Sequence, residues 1–199
     1  MQLTSLLILL TAVAVAYAQC SSLGTGATSS ITGDFTISAY NSVTATTTPL
    51  NLVNVVTVPH TSFYILATQA GSVNWQGLTM TNGVITATPP TGSYLSPIIS
   101  IGNTEPNPDS PFASGPWPTW ANSEIAPFDA ICSVPNASGG DAILAMYGQT
   151  GLFSLCSSYF GPGVSATAIL YNASSTVLPD AYSYDGASCT PVTLLVVPS

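Results

Sequence analysis

Apolar positions along the chain come in short runs, some alternating and some continuous, separated by Gly, Pro, Asn and Ser. No 3.6-residue repeat persists for more than two turns, and the strong helix formers Lys, Arg and Glu are nearly absent. Thr, Ser, Val, Ile and Tyr dominate instead. This pattern predicts an all-β chain. Its clearest local signal is Leu78-Thr79-Met80-Thr81-Asn82-Gly83-Val84-Ile85-Thr86-Ala87-Thr88. Asn-Gly suits the positive φ values of a type I′ turn. A two-residue loop then pairs Thr81 with Val84, Met80 with Ile85, Thr79 with Thr86 and Leu78 with Ala87. That register puts Leu78, Met80, Ile85 and Ala87 on one face and the threonines on the other.

Further strands are expected at 34–39, 52–58, 62–68, 94–101, 128–134, 142–147, 152–156, 164–171 and 191–197. Their spacing suits a single β-sandwich or barrel-like domain of about ten strands. Residues 21–30, rich in Ser, Gly and Thr, read as a loose lead-in. Residues 103–120 carry Pro106, Pro108, Pro111, Pro116 and Pro118 and read as one long irregular loop, unfit for a central strand. No internal repeat and no second domain is visible. The expected organisation is a signal peptide at 1–18, a lead-in at 19–33 and an all-β domain at 34–199.

The signal peptide rests on the apolar run from Leu6 to Val15, too short to span a bilayer as a helix, and on the small residues of Ala16-Tyr17-Ala18. Cleavage is expected before Gln19. No other run reaches membrane length, so a secreted, soluble protein is expected. An even number of cysteines, Cys20, Cys132, Cys156 and Cys189, suits two disulfides in an oxidising compartment, with three ways to pair them. Asn136-Ala137-Ser138 and Asn172-Ala173-Ser174 are N-glycosylation sequons, which places Asn136 and Asn172 on surface loops of a glycoprotein.

Charge then narrows the function. There are 8 acidic residues and no Lys or Arg, a formal net charge of −8. No basic patch exists to neutralise phosphates, so nucleic acid is not an expected partner. No Lys can form a Schiff base, no Arg can clamp an anion in two-point fashion, and no polybasic tether can hold the chain to a membrane.

Catalytic residues are hard to assemble. His60 is the only histidine, in the turn-like Val58-Pro59-His60-Thr61, and no Gly-x-Ser-x-Gly elbow accompanies it. One His with four half-cystines does not make a metal site, and no cofactor is expected. Glu124 with Asp129, or Asp180 with Asp185, are candidate carboxylate pairs for glycoside hydrolysis. Each acid is equally a turn former, and Asp185-Gly186 is a common turn pair. Trp117 and Trp120 flank Pro118, with Phe112 upstream, and flat indoles on a rigid loop can stack on sugar rings. The same side chains can instead fold down to seal the β core. Trp75 lies nearer the strands and reads as core.

The order of motifs in the second half carries a resemblance. The hairpin at 78–88 is followed by Phe128-Asp129-Ala130-Ile131-Cys132, Ile143-Leu144-Ala145, Phe153-Ser154-Leu155-Cys156, Leu170-Tyr171-Asn172 and Cys189-Thr190-Pro191-Val192-Thr193-Leu194. From about Leu78 to Val197 this order resembles the C-terminal four-cysteine domain of fungal PIR-type cell-wall proteins and related secreted fungal proteins. The Gln-rich repeats and the basic processing site of that family are missing here. The resemblance implies a fungal extracellular β domain associated with the wall, and it supplies no catalytic residue. Cys132 and Cys156 occupy similar places in two strands that open with Phe, so the expected disulfides are Cys132–Cys156 and Cys20–Cys189. The expected function is a secreted, non-enzymatic cell-wall or matrix glycoprotein, with glucan or chitin as partner. The alternatives are a carbohydrate-binding module working through Trp117 and Trp120, and a small secreted glycoside hydrolase.

Overall fold

A computed structural model describes residues 20–57, 61–68, 77–88, 98–101, 118–121, 131–161, 164–176 and 184–199. The chain is all-β, and a 3-10 turn at Gly186–Ser188 follows the long hairpins. The hairpin read from the sequence is present as β5 (Gly77–Thr81) and β6 (Val84–Thr88). Its register is Thr81↔Val84, Met80↔Ile85, Thr79↔Thr86 and Leu78↔Ala87. Asn82 and Gly83 take φ of 52° and 77°, as a type I′ turn requires. Leu78, Met80, Ile85 and Ala87 are all buried, while Thr81 is exposed.

The other strands, in chain order, are β1 (Ile31–Asn41), β2 (Thr46–Pro49), β3 (Asn51–Thr57), β4 (Thr61–Ala67), β7 (Ile98–Ile101), β8 (Pro118–Ala121), β9 (Ile131–Val134), β10 (Ala142–Met146), β11 (Phe153–Gly161), β12 (Val164–Tyr171) and β13 (Thr190–Pro198). All belong to one antiparallel sheet, in the order β2-β1-β5-β6-β7-β8-β4-β12-β11-β13-β10-β9, with β3 on β4 and an added pairing of β1 with β13. The sheet is not closed into a barrel. Among the described residues, β4 meets β12 through Ala67↔Ala168 alone, and β6 meets β7 through Thr86↔Ile98 alone.

Strand β13 explains the continuous apolar run near the C-terminus. It pairs with β1 along one edge and with β10 and β11 along the other, so both its edges are taken up inside the sheet. Val192, Leu194 and Val196 face the main core, and Thr193, Leu195 and Val197 are half-buried on the other side. Phe35, Ile37 and Ala39 of β1, Leu144 and Met146 of β10, and Phe153 of β11 join the same core. Burying each large side chain there stabilises by about 1.5–3 kcal/mol. A second cluster lies under Tyr184 and holds Ile65, Cys156, Phe160, Ala168 and Leu170.

Three expectations are corrected. The proline-rich segment is not a loop throughout, because Pro118–Ala121 forms β8, paired with β7 on one edge and β4 on the other. Proline is tolerated at a strand's first residue, and Pro118 stands there. Strand β2 escaped notice because Thr46-Thr47-Thr48-Pro49 shows no apolar alternation. The lead-in is not loose. Thr28 and Ser133 exchange backbone hydrogen bonds of 2.9 and 2.8 Å, and Gly83 N–H donates to the Ser29 carbonyl at 2.6 Å. The Ser30 hydroxyl accepts from the Asn82 N–H at 3.0 Å. Small polar residues allow this close backbone approach, and β1 begins at Ile31 rather than Asp34.

Candidate functional site

All four cysteines are in disulfides, but the pairing differs from the expected one. Cys20 is joined to Cys132 and Cys156 to Cys189. Sheet register gives the reason. β10 and β11 run one after the other along β13, through Ala142↔Val196 and Ile143↔Leu195, then Phe153↔Val192 and Leu155↔Thr190. Continued by one residue, the second register sets Cys156 opposite Cys189, with Cα atoms 4.2 Å apart. Cys132 faces Ala145 of β10 instead. Four residues of β13 separate these two positions, roughly 13 Å at about 3.3 Å per residue, well past the ~7 Å reach of a disulfide. Cys132 is covered by the lead-in, and Cys20, Cys132 and Ala145 form a small buried cluster.

Between β10 and β11 the chain leaves the sheet at residues 147–152. Met146 and Gln149 exchange backbone hydrogen bonds of 3.0 and 2.9 Å around Tyr147 and Gly148, whose φ values are 50° and 74°. A tyrosine in the left-handed region is uncommon. Tyr147 is 49% exposed, and its ring lies 6.0 Å from that of Tyr171. Tyr171 is buried, packs edge-on against Phe153 and donates its hydroxyl to the Met146 carbonyl at 3.0 Å. Burial, and then the neighbouring Tyr147, raise the Tyr171 pKa above its ordinary value. The expected strands 142–147 and 152–156 include Tyr147 and Leu152 as end residues, whereas the structure puts both in the connection between β10 and β11.

The Tyr184 region closes the opposite face of β11 and β12. Asp185 N–H donates to the Ser157 carbonyl at 2.9 Å, and Ser157 N–H donates to the Ser188 hydroxyl at 2.8 Å. The fully buried Tyr184 accepts from Ser174 N–H at 2.7 Å through its phenolic oxygen. Burial raises the Tyr184 pKa, and that hydrogen bond partly offsets the rise. Asp185 caps the 3-10 turn by accepting from Ala187 N–H at 3.0 Å. It therefore behaves as a turn former, and its suggested partner Asp180 lies outside the described residues. So do Glu124, Asp129, His60, Trp75, Phe112 and Trp117. Trp120 is within β8, where its register partners are Tyr64 and Ile99.

Both sequons are on connections. Asn136 follows β9, half-buried, and its Oδ1 accepts from Ser138 N–H at 3.0 Å in an Asx-turn. Asn172 follows β12, is exposed and has a φ of 53°. Its N–H donates to the Leu152 carbonyl at 2.7 Å. Among the described residues, no three His, Cys, Asp or Glu side chains gather as metal ligands, and no helix is long and apolar enough to cross a membrane. Compared with family models, curated proteins and solved structures, the chain matches none.

Proposed function

We propose that this chain is a secreted, non-enzymatic glycoprotein of a fungal wall or extracellular matrix, held there by weak contact with polysaccharide. The observation that carries the reading is the pair of disulfides that together use every cysteine. Such bonds persist in oxidising, extracellular settings. The resemblance to PIR-type wall domains supports the fungal wall as the setting. With no Lys or Arg, attraction to acidic polymers cannot hold the protein. Hydrogen bonding from Thr, Ser and Asn surfaces and aromatic stacking remain, with Trp117 and Trp120 as the proposed stacking residues.

Expression from a fungal host, followed by separation of medium, wall and cell contents, tests the location. The reading expects the protein in wall and medium, carrying sugar. Co-sedimentation with insoluble β-glucan and chitin tests the partner, with weak retention expected that barely changes between low and high salt. Binding abolished by salt, or retention inside the cell, contradicts the reading. Trp117→Ala combined with Trp120→Ala is expected to lower retention. Normal binding by that variant removes the stacking role.

A further inference from the structure

Three large hydrophobic side chains are exposed among the described residues: Val43, Tyr147 and Leu152. Two of them, Tyr147 and Leu152, lie in the connection between β10 and β11. Leu152 is the last residue before β11 and Asn172 the first after β12, joined by the 2.7 Å bond from Asn172 N–H to the Leu152 carbonyl. Tyr147 stands beside Tyr171, the residue before Asn172. An exposed leucine thus stands opposite the asparagine of a sequon, and an exposed tyrosine stands beside the residue that precedes it. The backbone is fixed on both sides, by the hairpin bonds of Met146 and Gln149 and by the left-handed φ that Asn172 readily adopts. A strained, exposed aromatic calls for a functional account.

We infer that Asn172 carries an N-linked glycan whose first sugars lie over Leu152 and Tyr147, so that the sugar acts as a built-in cover for this end of the sheet. The inference rests on the reading of the chain as an exported glycoprotein. In the covalent step, Asn172 Nδ2 attacks the anomeric carbon of the reducing-end N-acetylglucosamine of a lipid-diphosphate-linked oligosaccharide. The C–N bond forms, the sugar–phosphate C–O bond breaks, Nδ2 loses a proton and the lipid diphosphate leaves. A pyranose ring has one face lined with C–H bonds. That face suits the leucine methyls and the tyrosine ring, which together offer an apolar seat beside the attachment point. Asn136 differs. Its Oδ1 is occupied within an Asx-turn, and none of the three exposed large side chains lies in its loop. A glycan there has no such seat.

The test uses the glycosylated protein exported from a eukaryotic host. Glycopeptide mass spectrometry reads occupancy at Asn172 and Asn136 separately. Thermal unfolding is then compared for the intact glycoprotein, the form trimmed to one sugar by an endoglycosidase, and the form stripped by an amidase. The expected result is a midpoint nearly unchanged by trimming and lowered by about 2–4 °C by complete removal. The combined variant Tyr147→Asn and Leu152→Ser, in which Asn tolerates the positive φ, is expected to lose that difference. Stripping a variant that lacks only the Asn136 sequon is expected to give the same drop as the parent. Equal midpoints for all forms overturn the inference, as does a drop that survives in the Tyr147→Asn, Leu152→Ser variant. Exported protein bearing sugar at Asn136 and none at Asn172 overturns the inference and leaves the secreted reading standing. Protein retained in the cell defeats that reading itself.

Discussion

Tyr184 shows how much one side chain can decide. It is fully buried, it fills the second cluster, and its hydroxyl accepts from the backbone of Ser174. Tyr184→Phe keeps the ring and removes the acceptor, so a loss of about 1–2 kcal/mol is expected in urea unfolding. The same residue sets an alkaline limit. Burial raises the pKa of Tyr184 and Tyr171 above the ordinary tyrosine value near 10. The stability tied to their neutral forms is complete below that ordinary value and is lost as pH rises from there through the raised folded values. Unfolding midpoints measured upward from pH 9 should therefore fall, and fall less steeply in Tyr184→Phe. Gly186 is as sensitive. A Cβ at this position meets the Ser174 carbonyl oxygen at 2.5 Å and Ser175 backbone at 2.8 Å. Gly186→Ala is expected to cost about 1–3 kcal/mol by pushing the Tyr184 segment off the Ser174-Ser175 backbone. Little of this could be read from the sequence. Asp185-Gly186 announces a turn, but the need for glycine comes from the Ser174-Ser175 backbone packed against it, in the connection that follows β12.

At the scale of elements, local chemistry was legible and partnership was not. Hairpin β5–β6 could be written down with its register because turn and alternation agree within a few residues. Gly83→Ala should test the turn. An alanine forced to positive φ costs roughly 1–2 kcal/mol, and the bond from Gly83 N–H to Ser29 would report the damage through faster exchange of that amide. Strand β8 was hidden because Pro118, together with the prolines before it in the sequence, argues against a strand, and proline is tolerated only at the first position that Pro118 takes. Strand β11 runs on to Gly161, beyond the expected end at Cys156, because β12 continues to pair with the polar Ser157-Ser158-Tyr159 stretch. The disulfide pairing was out of reach for the same reason. It follows from the collinear packing of β10 and β11 along β13, which no single segment encodes. For the candidate site, the sequons were plain in the sequence. The exposed Tyr147 and Leu152 near one of them were not, since both read as end residues of the expected strands 142–147 and 152–156.

Over the whole molecule, the two disulfides close loops of very different size, with sequence separations of 112 and 33. The chain-entropy account assigns about 5 kcal/mol to the first and about 4 kcal/mol to the second. Replacing Cys20 and Cys132 by Ser is thus expected to destabilise at least as much as replacing Cys156 and Cys189, and paired-variant denaturation curves would rank them. Peptide mapping of the unreduced protein should recover Cys20 joined to Cys132, using a protease other than trypsin, which finds no Lys or Arg to cut after. The net charge of −8 and a pI near 4.1 also predict a solubility minimum close to pH 4, measured by turbidity across pH, as carboxylates gain protons and mutual repulsion fades. The pairing of the first strand with the last has a consequence in time. β1 lies against β13 from Phe35↔Pro198 to Tyr40↔Thr193, and Cys20 waits for Cys132. A ribosome delivers β13 roughly 10–30 s after β1. Until then one long edge of β1 has no native partner, and the nascent chain must be kept from pairing with its neighbours. The sheet therefore cannot be completed around β1 until β13 has been made.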